Sequence, residues 1–335
     1  MLKEIRFQNF RVLKKATLPL SRVTVIVGPN GCGKSTVLQS LEILRGPIPG
    51  YDRIVSVDKR DPGDDVVAKY VWDGPDDSLA TIAKWGKDGV HSRQVFRGRS
   101  EVASPNACEE FANRIRVFKL VPIQIAAPVQ VVPHAEINAD GYGLAGVLDN
   151  LRDSTPEKFD VLNTELAKWL PEFDRIVLSV PEGGRKQIGL RRKQDGLTLA
   201  ATDLSDGTLL ALTLLTLAYL PQPPSLVGLE EPDHGVHPRL LRRVQDAIYR
   251  LAYPEQHGES RMSTQVVVTT HSPYFLDLFK DHPEEIVIAN KDDNGVQFQR
   301  LADRPRMDDI LPEGPLGDLW YSGLLGGVPA EPVQP

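Results

Sequence analysis

VTVIVGPNGCGKST, residues 23–36, joins a strand-like half to a loop-like half. The first half is short, apolar and β-branched, the composition of a buried strand. The second half is G-x-x-x-x-G-K-[ST], with Gly28, Gly33, Lys34 and Ser35 in the defining positions. Glycines allow turn conformations that a side chain forbids. Successive N–H groups can then converge on a phosphate at the start of the next helix. Lys34 is placed to reach the β and γ phosphates, and Ser35 to ligand Mg²⁺. A glycine-rich turn that binds nothing is the plain alternative. The order strand, loop, helix argues against it and predicts a nucleoside triphosphate site.

Working outward, the chain has 335 residues, 41% hydrophobic and 25% charged, enough to bury a large core. A formal net charge of -6 excludes a generic nucleic-acid binder, so any DNA contact is expected in a local patch. Cys32 and Cys108 cannot build a disulfide framework, and Cys32 lies inside the phosphate loop; a reducing cytosol is expected. The opening MLKEIRFQNFR is charged and alternating, unlike a signal peptide. The longest apolar run, residues 209–220, is too short to span a bilayer and contains Thr213 and Thr216. It reads as a buried helix, and no membrane association is expected.

Residues 2–10 alternate as a strand, 17–20 read as its return, and 23–27 as a central strand. Such a start predicts an antiparallel sheet grafted on a parallel nucleotide-binding core. Phe10 and Arg11 lie in the link, and either could pack on an adenine ring by stacking or cation–π contact. Phe10 as plain core is an equal alternative. A helix over 35–44 carries Val37, Leu38, Leu41 and Leu44 at helical spacing and stops at Gly46-Pro47. Runs at 54–57, 66–72, 79–85 and 90–96 are separated by Pro62-Gly63, Gly74-Pro75 and Asp88-Gly89, and predict an antiparallel sheet.

The middle reads as helix 108–115, strand 116–120, a helix with Leu144, Val147, Leu148 and Leu151 in line, and a helix from Pro156 to Pro171. A hairpin of 175–180 and 187–190 around 181–184 follows, then a strand at 197–200. No heptads are sustained, so this is a compact α+β insertion and not a coiled-coil arm. Basic clusters stand at Arg93, Arg97, Arg99 and at Arg185, Lys186, Arg191, Arg192, Lys193. Both fit solvated strand faces, and the second is dense enough to be a candidate phosphate-backbone contact.

LSDGT, residues 204–208, opens the buried helix with Ser205, Asp206 and Gly207, a second anion-binding mouth or simply an N-capped start. The apolar run 225–229 ends in Glu230-Glu231, then PDHGVHP. Carboxylates at the end of a buried parallel strand stand where α/β sheets place ligand chemistry. Glu230 is expected to orient the Mg²⁺ shell and Glu231 to polarise an attacking water as general base. His234 and His237 invite a metal site, but Pro238 opens the next helix and His237 fits as a cap. An amphipathic, arginine-rich helix is expected over 239–251. QVVVTT, residues 265–270, is another buried strand, ending at His271, which can reach the γ phosphate or the water. Residues 286–289 and 296–300 read as edge strands, and the apolar tail from 316 as a docking segment.

With these motifs in place the chain resembles the ABC-type ATPases of the SMC and RecF-like class. In particular it resembles the short AAA family ATPase head proteins of prokaryotes, some related to the ATPase halves of the OLD family. The resemblance rests on GPNGCGKST, LSDGT, SLVGLEEPDHGVHP and the His271 of VVVTTHSP, in that order; the DGYGLAGVLDNL segment looks like the linker of such proteins. It implies an α/β, ABC-type P-loop NTPase head: a mixed central sheet with helices plus an antiparallel β subdomain, an α+β insertion and no coiled coil. Residues 1–100 would form one lobe, 101–200 the insertion and linker, and 201–335 the second lobe of one composite ATPase domain.

The resemblance further implies that Asn30, Gly31, Cys32, Gly33, Lys34, Ser35 and Thr36 hold Mg²⁺-ATP, with Arg11 near the base. Two copies would sandwich two ATP molecules, Ser205, Asp206 and Gly207 of one capping the γ phosphate held by Lys34 of the other. A glutamine that contacts Mg²⁺ and the γ phosphate is common in such ATPases, and Gln94 is the candidate, a solvent-facing strand glutamine otherwise. Glu230 stands where aspartate is more usual. The stretch after His271 is too short for the nuclease domain of OLD-family proteins, so a nuclease or toxin activity is expected from a partner. The implied function is a cytoplasmic ATP-hydrolysing switch that dimerises on ATP and acts on an effector or DNA, in phage defence. The alternative is a DNA-binding repair or recombination head. A P-loop phosphotransferase acting on a small molecule would not carry the LSDG, Glu-Glu and His series.

Overall fold

The computed structural model describes residues 1–47, 49–55, 65–74, 79–86, 88, 90–103, 105–130, 132–180, 184–292, 295–305, 307–310 and 314–328. Residues 56–57, the Pro62-Gly63 pair, Pro75, Gly89, the turn residues 181–183 and the tail beyond 328 lie outside them. The chain forms two compact units: Met1–Val117 with Ser225–Leu229 and Gln265–Pro335, and Phe118–Pro224 with Glu230–Thr264.

The first unit opens with β1 (Leu2–Phe10), β2 (Leu13–Pro19) and β3 (Val23–Val27), then α1 (Lys34–Arg45). β4 (Val66–Trp72), β5 (Leu79–Trp85), β6 (His91–Arg97), β7 (Ser100–Val102), α2 (Asn106–Asn113) and β8 (Ile115–Phe118) follow. An antiparallel sheet runs β2-β1-β4-β5-β6-β7. Its alternation sets the two faces: Ile5, Phe7, Ala68, Tyr70, Ala83 and Trp85 are buried with Val37, Leu38 and Leu41 of α1. Tyr70 donates its hydroxyl to the Ser40 carbonyl at 2.6 Å. Arg93 of β6 donates to the carbonyls of Ile43 and Leu44 at 2.7 Å and Gly46 at 3.2 Å. That cation at a helix C-terminus completes orphan acceptors and suits the dipole. The first basic cluster therefore loses a member to an internal cap.

The second unit continues with α3 (Pro122–Ile125), α4 (Leu144–Ser154), α5 (Pro156–Trp169), β9 (Phe173–Ser179), β10 (Gln187–Arg192), β11 (Thr198–Ala200) and α6 (Asp206–Tyr219). β9, β10 and β11 form the expected antiparallel ladder. The second unit also holds α7 (Leu241–Ala252), whereas β12 (Leu226–Glu230), but for Glu230, and β13 (Gln265–Thr270), α8 (Pro273–Asp277), β14 (Ile286–Asp292), β15 (Gly295–Arg300), α9 (Met307–Ile310) and α10 (Leu316–Tyr321) belong to the first. Pro238 opens a single 3₁₀ turn, Pro238–Leu240, so the helix expected from 239 starts two residues later. α5 and α6 each run 14 residues, the longest helices among the described residues.

The second sheet of the first unit has the order β15-β14-β3-β13-β12-β8. β3 pairs in parallel with both β13 and β14, whereas β15 is antiparallel to β14. The sheet is mixed, as expected, and β3 and β13 are buried at every residue. Strands covered on both faces read as near-continuous β-branched runs, which is why they were legible. β14 is a correction: it was expected at an edge but lies between β15 and β3. Its partner β15 closes that side, and Val296 and Phe298 supply the apolar inner face. Gln265, at the start of β13, is 1% exposed and ties the sheets together. It accepts from Leu2 N at 3.0 Å and donates to the carbonyls of Leu2 at 2.7 Å and Ser21 at 3.0 Å.

Candidate nucleotide site

The phosphate loop leaves β3 at Gly28. A Cβ there would lie 2.4 Å from the Ala289 carbonyl oxygen of β14, so only glycine lets the loop exit between tightly spaced strands. Gly33 caps α1 at φ 85°, and a Cβ would meet Leu13 Cδ2 at 2.7 Å. The Arg11–Leu13 link thus packs directly on the loop. Lys34 is 6% exposed and turns back into the loop, donating to the carbonyls of Gly28 at 2.8 Å and Pro29 at 3.0 Å. Asn30, Gly31 and Ser35 are exposed, whereas Cys32 and Thr36 are buried. Burial pushes the Cys32 thiol above its ordinary pKa, against the opposing pull of the Lys34 ammonium.

Phe10 is fully buried against Phe7 and Trp85, with ring centroids at 5.6 and 5.8 Å; it is core and not a base-stacking ring. Arg11 is partly buried at φ 50° and its guanidinium bonds Gln39 of α1. Its Nε is buried without a hydrogen-bond partner among the described residues. Gln94 pairs with Ile82, which pairs with Lys69, so all three share the face of the sheet opposite α1. That exposed position gives Mg²⁺ ligation by Gln94 no support.

His271 follows Thr270, the residue that pairs with Val27 at the end of β3. Gly28 and His271 therefore leave neighbouring parallel strands side by side, about 5 Å apart by strand spacing. This is the carboxyl-end crevice where open α/β sheets bind ligands. Ser272 caps α8, accepting from Phe275 N at 3.2 Å, and so fixes the turn just after the histidine.

β12 neighbours β13 and ends at Glu230. In the second unit, the Glu230 carboxylate is 16% exposed and pairs with Lys119 at 3.3 Å. Lys119 lies 111 residues earlier, too distant for sequence reading to connect. Glu231 is in the left-handed region at φ 48°. His234 N donates to the Glu231 carbonyl at 3.0 Å, closing the turn that follows. His237 accepts from Arg239 N through Nδ1 at 3.2 Å, the expected cap rather than a metal ligand.

Ser205 caps α6, its hydroxyl accepting from Thr208 N at 3.3 Å, while Ser205 and Asp206 stay exposed. A Cβ on Gly207 would lie 2.8 Å from the Gly235 carbonyl oxygen, so this glycine also seats the turn after Glu231 on α6. Residues 207–218 are buried, and Thr213 and Thr216 return their hydroxyls to the carbonyls of Leu209 at 2.8 Å and Leu212 at 2.7 Å. That satisfies the two hydroxyls within the apolar stretch 209–218 of this helix.

The second basic cluster is largely spent on internal pairs. Lys186 meets the buried Asp149 at 2.8 Å, Arg191 forms a two-pronged pair with Asp174 at 2.8 and 2.9 Å, and Arg192 pairs with Asp195. No helix among the described residues is long and apolar enough to cross a membrane.

Comparison with known proteins agrees with this layout. Residues 1–68 match a family model described as "AAA ATPase domain", and residues 129–277 one described as "AAA domain, putative AbiEii toxin, Type IV TA system". An OLD nuclease of Thermus scotoductus is 23% identical, over 95% of this chain and 68% of that protein. Among solved structures, an SMC head bound to the C-winged helix domain of ScpA superposes with TM-score 0.64 at 16% identity, covering 89% of this chain and 97% of that one. The SMC head domain from Thermotoga maritima gives TM-score 0.55 at 15% identity, over 89% and 98%. The chain thus carries two stretches that match AAA ATPase-domain models, on an α/β fold like that of the SMC heads.

Proposed function

We propose that this protein is an ATP-hydrolysing switch in which Glu231 is the general base. The observation that carries the reading is the backbone of Glu231, held at φ 48° directly after the last residue of β12. A non-glycine residue in that region costs on the order of 1–3 kcal/mol and persists where surrounding structure and function demand it. Lys34 and the loop N–H groups would hold the triphosphate, Arg11 would approach the base, and His271 would meet the γ phosphate or the attacking water. Ser35 and Glu230 offer oxygen donors, the set Mg²⁺ takes, and would hold the ion. Mg²⁺ would neutralise charge on the β and γ phosphates. Lys119 would exchange Glu230 for solvent as the ion enters.

Ser205 and Asp206, exposed at the N-terminus of the buried α6, would complete the site of a second copy. ATP would then be the glue of a homodimer as well as its substrate. The similarity to an OLD nuclease and to a toxin-associated AAA family supports an effector partner, a nuclease or toxin, and a role in phage defence in the cytoplasm. The test is Glu231→Gln with ATP and Mg²⁺. Turnover should be abolished with nucleotide binding kept, and light scattering should show an ATP-dependent dimer. Unchanged turnover refutes the base, and a chain that stays monomeric refutes the sandwich.

A further inference from the structure

The apolar tail, read in the sequence as a docking segment, docks on its own unit. β13 and β14 flank β3, and Thr270 and Ile288 both stand opposite Val27, its last residue. Residues 314–328 are fastened just beyond that point on either side. Toward β13, Gly317 N donates to Asp277 Oδ1 of α8 at 2.7 Å. A Cβ on Gly317 would lie 2.5 Å from the carbonyl oxygen of Pro273, which follows His271-Ser272. Toward β14, Gly327 N donates to Asn290 Oδ1 at 2.5 Å. A Cβ on Gly327 would lie 2.8 Å from Ile288 Cγ2 and 3.4 Å from the Ala289 carbonyl oxygen. Gly28 of the phosphate loop approaches that same Ala289 oxygen. Trp320, 7% exposed, donates its indole N–H to the Gly327 carbonyl at 3.1 Å and closes the segment between its two fastenings.

From this placement we infer that residues 314–328 are a strap that pre-organises the phosphate loop and His271 for ATP, with Asp277 and Asn290 as its positioning residues. This role presupposes the proposed reading of the crevice as the ATP site. Ladder pairing of β3 with its neighbours ends at Val27, so Gly28 and His271 lie where the sheet no longer sets their spacing. A segment bonded beyond both flanking strands restores that constraint, and it removes freedom that ATP would otherwise have to remove on binding. A tail packed only to cover apolar surface would bury Leu316 and Leu325, as this one does, without gripping the carbonyl against which the phosphate loop packs. Each fastening is a backbone N–H held by a side-chain oxygen, so each can be removed without altering the strap's own sequence. Coupling is reciprocal: what the strap contributes to ATP binding, ATP returns as protection of the strap.

The test is equilibrium binding of a fluorescent, non-hydrolysable ATP analogue with Mg²⁺ to the full chain. Asp277→Ala should bind it about fivefold more weakly than Asp277→Asn, which keeps an oxygen acceptor at the same neutral charge. Asn290→Ala should bind about fivefold more weakly than wild type. Gln265→Leu, at the opposite end of β13, should keep wild-type affinity although it destabilises the unit, so lost stability by itself does not mimic the effect. Saturating analogue should slow hydrogen exchange in the peptide 314–328 by the same factor, about fivefold. The strap is overturned if the analogue binds and exchange in 314–328 is unchanged, if either alanine variant binds as tightly as its reference, or if Gln265→Leu weakens binding equally. Any of these leaves the proposed switch standing. A wild-type chain that binds no analogue refutes the ATP site and the strap together.

Discussion

Substitution at Glu231 separates strain from chemistry. Its φ of 48° belongs to the region that an L side chain enters at a cost of about 1–2 kcal/mol and glycine enters freely. Against that, glycine loses about 0.5–1 kcal/mol more backbone entropy on folding than alanine. At an ordinary position Ala beats Gly; here relief of strain outweighs entropy, and Glu231→Gly should exceed Glu231→Ala by about 0.5–1 kcal/mol. For 335 residues at about 2.1 cal/mol/K each, the unfolding entropy is near 0.7 kcal/mol/K. The melting shift is then only about 1 °C, so denaturant midpoints are the better assay. Both variants should lack ATP turnover, as should Glu231→Gln, which keeps the strain and loses the charge. A more stable, inactive glycine variant is the signature of a residue retained for function at a cost in stability. The reasoning is refuted if alanine is as stable as glycine, because the backbone is then not held in the left-handed region.

Gln265→Leu should destabilise the first unit by about 3 kcal/mol in urea, since it strands a donor at Leu2 and acceptors at Leu2 and Ser21 in a buried place; a loss below the value of one hydrogen bond would show that the clamp is not formed. Gly207→Ala improves helix propensity by about 1 kcal/mol, yet its Cβ would press within 2.8 Å of the Gly235 carbonyl, so stability should fall by about 1–2 kcal/mol; a stabilised variant contradicts the close approach. The Cys32 thiol, raised by burial, stays protonated while an unfolded thiol ionises near pH 8.5. Protons are then bound more by the folded state, so stability should be flat below that range and fall as pH rises through it, a fall that Cys32→Ala should remove from a pH series of denaturant curves.

Much of the site was legible because its chemistry is local. Gly28, Gly33, Lys34 and Ser35 occupy fixed positions in one turn, and Ser205 caps the helix it opens, as its hydroxyl at a helix start foretold. His271 could be read because a β-branched strand, buried at every residue, ends directly before it. Charge was the poorest guide. Arg93 and the cluster of Lys186, Arg191 and Arg192 looked alike in sequence, but Arg93 caps α1, Lys186 and Arg191 meet Asp149 and Asp174 brought from elsewhere in the chain, and Arg192 meets Asp195 three residues on. Gln94 meets the same limit: it takes the exposed face of β6, the alternative reading of a solvent-facing strand glutamine, and that face is set by the register with β5.

The sequence by itself determined the phosphate loop, the buried strands around it and the order of its motifs, since each follows from periodicity or from turn chemistry over a few residues. Only the tertiary structure decided that β14 is interior, that Gly28 and Gly207 are required by backbones 261 and 28 residues away, and that Lys119 faces Glu230. Those facts depend on strand order, register and close approach, and a chain carries such information only when it is folded.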